Sequence, residues 1–437
     1  MRRCALFLRP VAVAAAVLAG GVLAAGGPFQ EPVQMTEDGE RYRLARSAPG
    51  SAAFDSAGQL HLTYWSGGEV TNPSNPSFVY YRNWTAAEGW SDEVLVDDSV
   101  DGGGVRVGAR NPALAASPGG DVYIAWQDHR HSSADYAWID NLELYGRHRP
   151  AGIGSFGPEL RLTETNAAHN GDNGYAPKLA PLPDGRLALA WYDFHDDRDV
   201  SDIYIQLSDT DWQFDTSAPI TAHRRTDRAD RGGSPAYTLP SAAADADGVL
   251  HLCWIGGTGS SGPVYYGTFD TDTAEFDYTE VLADGGDFFS PPHVAVGPDG
   301  TAWVVLAHVG GGTAQVTLLQ MQEGMGDPPD IRVPFPSGSA QSAPSAAFDA
   351  EGRLHLAWLE AGGVWYGLYD PEEDEALEAT QVSIDNGTYR RPLVVIDAEE
   401  QPHVLYEEEL GFDSGALWFA EPSGATAVPA GEWLQYD

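Results

Sequence analysis

Seven diverged copies of one strand–turn–strand frame, an alternating apolar pattern inside each copy, and turn-to-turn periods of 48 to 65 residues predict an all-β chain: a seven-bladed β-propeller of four-stranded antiparallel blades. The clearest copies run from Pro344 to Trp358 and from Pro240 to Trp254, and the frame recurs at Pro112–Trp126, Pro177–Trp191, Pro292–Leu306 and Pro392–Tyr406. The first copy spans Gly50 to Tyr64, with its proline one residue early at Pro49. Gly58, Gly120, Gly185, Gly248, Gly300, Gly352 and, in the most degenerate copy, Glu400 occupy the turn. Glycine suits that position because it lacks the Cβ that penalises positive φ.

Each copy reads as strands a to d, with the proline opening strand a. Strand b alternates, as in Leu354, Leu356 and Trp358 against His355 and Ala357. It ends six residues after the turn on an aromatic in six copies: Tyr64, Trp126, Trp191, Trp254, Trp358 and Tyr406. These are read as inter-blade packing. Strand c carries paired aromatics such as Tyr80-Tyr81 and Tyr265-Tyr266, and strand d is short. Pro32 to Glu37 resembles the strand-d segment Pro158 to Glu164, so it is read as the last strand of blade 7, closing the ring from the N-terminus. Closure removes an exposed strand edge and favours a monomer. One propeller over 31–437 is expected, with no linker to a second domain.

Arg2, Arg3 and Arg9, followed by the apolar run Val11–Ala25 and the small residues around Ala24, read as a signal peptide over 1–24. The run is short for a membrane span. An exported protein, periplasmic or extracellular and without a span once the signal is cleaved, is therefore expected. With 24 basic against 64 acidic residues and a net charge of −40, the chain repels nucleic acid. Lys178 is the only lysine, and Cys253 sits alone in an apolar strand as a small hydrophobe.

The frame of proline, small apolar run, Asp/Gly turn and alternating strand ending in tryptophan resembles the sialidase-like, or BNR-repeat, superfamily of secreted propellers. Ser208-Asp209-Thr210-Asp211-Trp212 stands where that superfamily carries an Asp-box, without its glycine. A looser likeness is to propeller polysaccharide lyases of the ulvan-lyase kind. There, a strand like Asn111–Ala115 precedes a glycine turn and a strand ending near a catalytic histidine. The likeness matches His129 to that histidine and Arg110 to a companion basic residue.

Function should sit where the chain is elaborated. The loops joining strands b and c are long in blades 1 to 3 (66–76, 127–140 and 193–202) and short in blades 4 to 6. His61, His251, His355 and His403 recur inside strand b, three residues past the turn, and are read as framework. The loop face over blades 2 and 3 instead gathers His129, His131, His169 and His195 with Arg110, Arg130, Arg198, Arg228, Tyr175 and Tyr237. Three chemistries suit these groups. A lyase would use His129 or His195 as base, Tyr175 as acid and Arg110 to offset a uronate carboxylate. A glycosidase would need two carboxylates, for which Asp128 and Asp193 are candidates. A Ca2+ site could draw on Asp196, Asp197 and Asp199. The expected function is a carbohydrate-active propeller, lyase or hydrolase, with a polysaccharide or oligosaccharide as partner. The alternative is a non-catalytic propeller binding glycan or protein at the cell surface.

Overall fold

The computed structural model describes residues 28–36, 42–45, 50–67, 77–100, 108–131, 142–163, 174–193, 201–216, 224–225, 237–256, 262–286, 290–309, 312–321, 329–411 and 414–423. They form seven antiparallel sheets, each paired in the order a-b-c-d: a seven-bladed β-propeller. Blade 2 is representative, with strands Ala109–Ala116, Val122–Asp128, Glu143–Arg149 and Leu160–Arg161. Blade 7 is Tyr389–Ile396, Pro402–Gly411 and Ser414–Ala420, completed by Val33–Gln34. That last strand pairs Val33 with Phe419 and Gln34 with Trp418, which is the expected N-terminal closure. Met35 N–H donates to Leu417 O at 2.8 Å, and the Met35 side chain is buried with Leu60, Leu405 and Phe419 at the seam of blades 7 and 1. No helix among the described residues is long and apolar enough to cross a membrane.

All seven turn positions have positive φ, including Glu400 at 60°. In four blades the residue three before the turn is an aspartate that does double duty. In blade 6, Asp349 Oδ1 accepts the Arg353 N–H while Oδ2 bonds His355 Nε2 at 3.1 Å, and His355 Nδ1 bonds the Tyr366 hydroxyl at 2.8 Å. The same aspartate–histidine–tyrosine chain links Asp55, His61 and Tyr81, and Asp245, His251 and Tyr266. In blade 7, Asp397 holds His403 at 2.9 Å. These histidines are framework: they tie the turn to strand c inside a buried seam, where an unmade polar bond is expensive. The six strand-b aromatics are at most 2% exposed, and each stacks on a strand-c ring, as Trp191 does on Tyr204. They pack blade on blade.

The frame proline stands immediately before strand a in blade 5, His293–Val296, but does not open the strand elsewhere. In five blades it is the fourth residue of that strand, and the residue before it (Asn111, Ala176, Leu239, Ala343 or Arg391) has φ between 47° and 52°. The pairing register shifts at that point in all five. This is a built-in bulge. Proline disfavours the right-handed helical region for its predecessor and has no N–H to contribute to the ladder, so the extra residue costs no hydrogen bond at the proline. The first residues of strand a are thereby re-aimed relative to the rest, at the end of the blade where the b–c loops emerge. In blade 1 the strand is broken outright into Tyr42–Arg43 and Ala52–Phe54, both paired with Leu60–Ser66.

Candidate functional site

The end of strand b in blade 2 distributes its side chains to two seams. Trp126 and Asp128 turn toward blade 1, where Trp126 packs with Trp65 and Tyr81. Asp128 is fully buried and accepts bonds from the Ser99 hydroxyl (2.5 Å), Trp126 Nε1 (3.1 Å) and Arg130 N, Nε and Nη2 (2.8 to 2.9 Å). Arg130 reaches on to Glu159 at 2.9 Å and lies over the Tyr145 ring at 3.9 Å, and His131 bonds the Tyr145 hydroxyl at 2.7 Å. These three candidates form one satisfied network that anchors the loop base. Asp193 repeats the pattern in blade 3, accepting Trp191 Nε1 at 3.4 Å, as Glu360 accepts Trp358 Nε1 at 3.0 Å in blade 6. The carboxylate two residues past the tryptophan is thus an indole acceptor of the frame.

Gln127 alternates onto the other face with Ala125 and Tyr123, whose side chains pack against Leu179 and Leu189 of blade 3. It is fully buried and opposes Arg110 across the strand pair. Its Oε1 accepts Asn111 Nδ2 at 3.0 Å, while Gln127 Nε2 and Asn111 Oδ1 have no partner. His129, just beyond the strand, is 1% exposed, and neither ring nitrogen is hydrogen-bonded. Burial, with the Arg110 guanidinium charge adding to it, holds the ring well below the usual histidine range. It is therefore a neutral imidazole at physiological pH. Four orphaned polar atoms on three side chains, each more than nine-tenths buried, lie at the base of the elaborated face beside a cation.

Tyr175 occupies in blade 3 the place Arg110 holds in blade 2. It is half-buried and stacks on Tyr192 with ring centroids 5.0 Å apart, on the seam toward blade 4. The fold therefore sets Arg110 with His129 at one seam and Tyr175 at the next. Tyr237 is the first residue of strand a in blade 4. His169, His195, Arg198 and Arg228 lie outside the described residues, as do the candidate Ca2+ ligands Asp196, Asp197 and Asp199. The acidic group that could hold a metal among the described residues is Asp349, Glu351 and Glu400, at the turn end of blades 6 and 7. Arg353 already bridges two of its members, with Nε 2.6 Å from Asp349 and Nη2 2.9 Å from Glu351.

Gln127 and Asn111 were not singled out in the sequence, although a signal existed. The residue after the strand-b aromatic is Trp65, Tyr192, Ile255 or Leu359 in blades 1, 3, 4 and 6, and polar only in blade 2 (Gln127) and blade 7 (Glu407). Glu407 is satisfied by Arg391 Nη1 at 2.7 and 3.0 Å. Gln127 keeps an unmet donor.

No protein-family model matches the chain, and no curated protein matches it in sequence. Solved structures do match in fold. An ulvan lyase of a new polysaccharide-lyase family, bound to -[GlcA(1-4)Rha3S]-, aligns at a TM-score of 0.59 and 12% identity, covering 90% of this chain and 96% of that one. A protein of unknown function from Dyadobacter fermentans aligns at 0.54 and 12%, covering 90% and 99%. A sialidase from Streptococcus pneumoniae gives 0.49 and 11%, covering 91% and 71%. At these identities the likeness is one of fold.

Proposed function

We propose that this chain is an exported, carbohydrate-active propeller that works on an acidic polysaccharide at the loop face around blade 2 and its seam with blade 3. The observation that carries this reading is the group of buried Asn111, Gln127 and His129 beside the half-buried Arg110. Each orphaned buried polar atom costs about 1–3 kcal/mol, which a bound partner offering hydroxyls and a carboxylate would recover. The fold likeness to an ulvan lyase supports a uronate-containing chain as that partner.

In the lyase form of the reading, neutral His129 takes the proton from the carbon beside the uronate carboxylate, and Arg110 offsets the charge that builds on that carboxylate. The electron pair forms a carbon–carbon double bond as the glycosidic C–O bond breaks, and water supplies the proton to the leaving oxygen, since Tyr175 stands at the next seam. The depth of His129 favours a second reading, a propeller that grips a glycan or protein without turnover. A panel of acidic and neutral polysaccharides, followed for unsaturated-uronide absorbance, new reducing ends and gel retardation, separates the two. Uronide absorbance lost in both His129→Ala and Arg110→Ala supports the lyase. Retardation without product supports binding alone. Reducing ends without absorbance indicate hydrolysis, and no response from any polysaccharide refutes the proposal.

A further inference from the structure

In four blades the residue two places after the frame proline donates its N–H across the seam to the preceding blade. Leu114 N bonds Gly50 O at 2.6 Å, Val294 N bonds Ser241 Oγ at 3.2 Å, Ala346 N bonds His293 Nδ1 at 3.0 Å and Val394 N bonds Ser345 Oγ at 3.0 Å. The acceptors Ser241, His293 and Ser345 share one frame position, the residue after the proline. In blade 2 that position is Ala113, whose side chain has no acceptor, and Leu179 N makes no bond to blade 2. Leu179 instead lines an axial cavity of about 200 Å³, shared with Lys178, Ser241 and His293, which has room for water to serve its N–H.

The two remaining seams are tied elsewhere. Arg186 Nη2 bonds Thr271 Oγ1 at 3.2 Å between blades 3 and 4, and Arg391 Nη1 bonds Leu44 O at 3.3 Å between blades 7 and 1. The seam of blades 2 and 3 stands apart, since no hydrogen bond or ion pair joins described residues across it. What joins them is apolar: Tyr123, Ala125 and Leu144 against Leu179, Leu189 and Trp212, with Tyr123 edge-on to Phe214 at 5.4 Å.

A hydrogen bond between blades fixes their offset, because sliding would strand a buried donor or acceptor. Apolar surfaces that stay covered can slide by about 1–2 Å without stranding anything, which is how packed elements shear. The untied seam is also the one onto which Gln127 alternates, fully buried and with Nε2 unmet. A ligand reaches that amide only when the blades part. We propose that the ring has one moving seam, between blades 2 and 3, and that shear there uncovers Gln127 and admits a sugar chain to the loop-face group. This gating rests on the function proposed above and adds to it a route: the buried group is reached by blade motion rather than through a standing cleft.

The test is thiol accessibility of the full chain carrying Gln127→Cys, with the labelled site located by peptide mass. Native Cys253 is fully buried and reports global opening. A small maleimide should label position 127 at least about tenfold faster than Cys253, with a weaker dependence on urea. Ala113→Ser supplies the missing acceptor for Leu179 N and should slow labelling at position 127 about fivefold. Equal rates at the two thiols, equal urea dependence, or no slowing by Ala113→Ser would overturn the moving seam. Should Gln127→Cys fail to fold, hydrogen exchange of the unaltered chain decides. Amides of Ala109–Ala116 and Gly174–Pro181 should exchange at least about tenfold faster than those of Gln341–Phe348 and Tyr389–Ile396, and equal protection overturns the proposal. No polysaccharide enters either measurement, so a seam that stays shut is told apart from a ligand that does not bind.

Discussion

Replacing Lys178 by methionine should make the protein more stable, and by an amount that depends on pH. The ammonium's ordinary value of 10.5 is lowered to about 7 by burial. A depressed lysine opposes folding wherever the unfolded chain holds a proton that the folded chain resists. Below pH 7 both states are protonated and the full penalty applies. Between 7 and 10.5 the unfolded state binds the extra proton, so wild-type stability rises with pH by about 1.4 kcal/mol per unit. The whole shift corresponds to about 5 kcal/mol. For a chain of 437 residues, with an unfolding entropy of roughly 2 cal/mol/K per residue, that amounts to roughly 5 °C in Tm. Methionine fills a similar volume without the charge. Thermal unfolding of both proteins from pH 6 to pH 10, in buffer free of sulfate and phosphate, should show Lys178→Met ahead by that margin at pH 6 and the gap nearly closed at pH 10. A gap that does not change with pH, or a destabilised variant at pH 6, would refute the buried-amine argument.

Acid should act through the buried histidines. His293 is lowered from 6.5 to about 3, so its contribution is intact above pH 6.5 and is lost as pH falls toward 3, by about 5 kcal/mol in all. His293→Gln keeps an acceptor for Ala346 N–H and should unfold at lower pH than wild type in a fluorescence-monitored acid titration. His355→Ala strands the Tyr366 hydroxyl, removes one of the two donors to Asp349 Oδ2 and leaves a cavity, and should cost about 2–4 kcal/mol in denaturant unfolding without changing ligand binding. His129→Ala breaks no side-chain hydrogen bond but leaves a cavity where a buried ring stood, and should cost about 2 kcal/mol while abolishing turnover or glycan binding. Deleting residues 28 to 36 removes the closing strand, buried Met35 and the Phe29 contact with Tyr366 at 5.0 Å. It should cost at least about 3 kcal/mol, and an unchanged melting curve would rule out the closing role.

The blade count, the seven turns, the framework histidines and the N-terminal closure were all legible in the sequence because each is local and repeated. A positive-φ turn asks for glycine, a seam-buried strand asks for alternation, and seven copies make the frame stand out from noise. The bulge before the proline was hidden. Asn111, Ala176, Leu239, Ala343 and Arg391 share no side-chain type, and what they share is a positive φ at the bulge in the strand. The division at the end of blade 2 was also invisible, since Asp128, His129, Arg130 and His131 read in sequence as one polar run. Only packing sends Asp128 and Arg130 into a satisfied network at the blade 1 seam and leaves Gln127 Nε2 and both His129 ring nitrogens without partners. The same holds for Lys178 and His293, which are 115 positions apart in the chain. Their meeting in one cavity follows from ring closure, which brings the inner strands of separate blades around a common axis, and no local pattern encodes that distance.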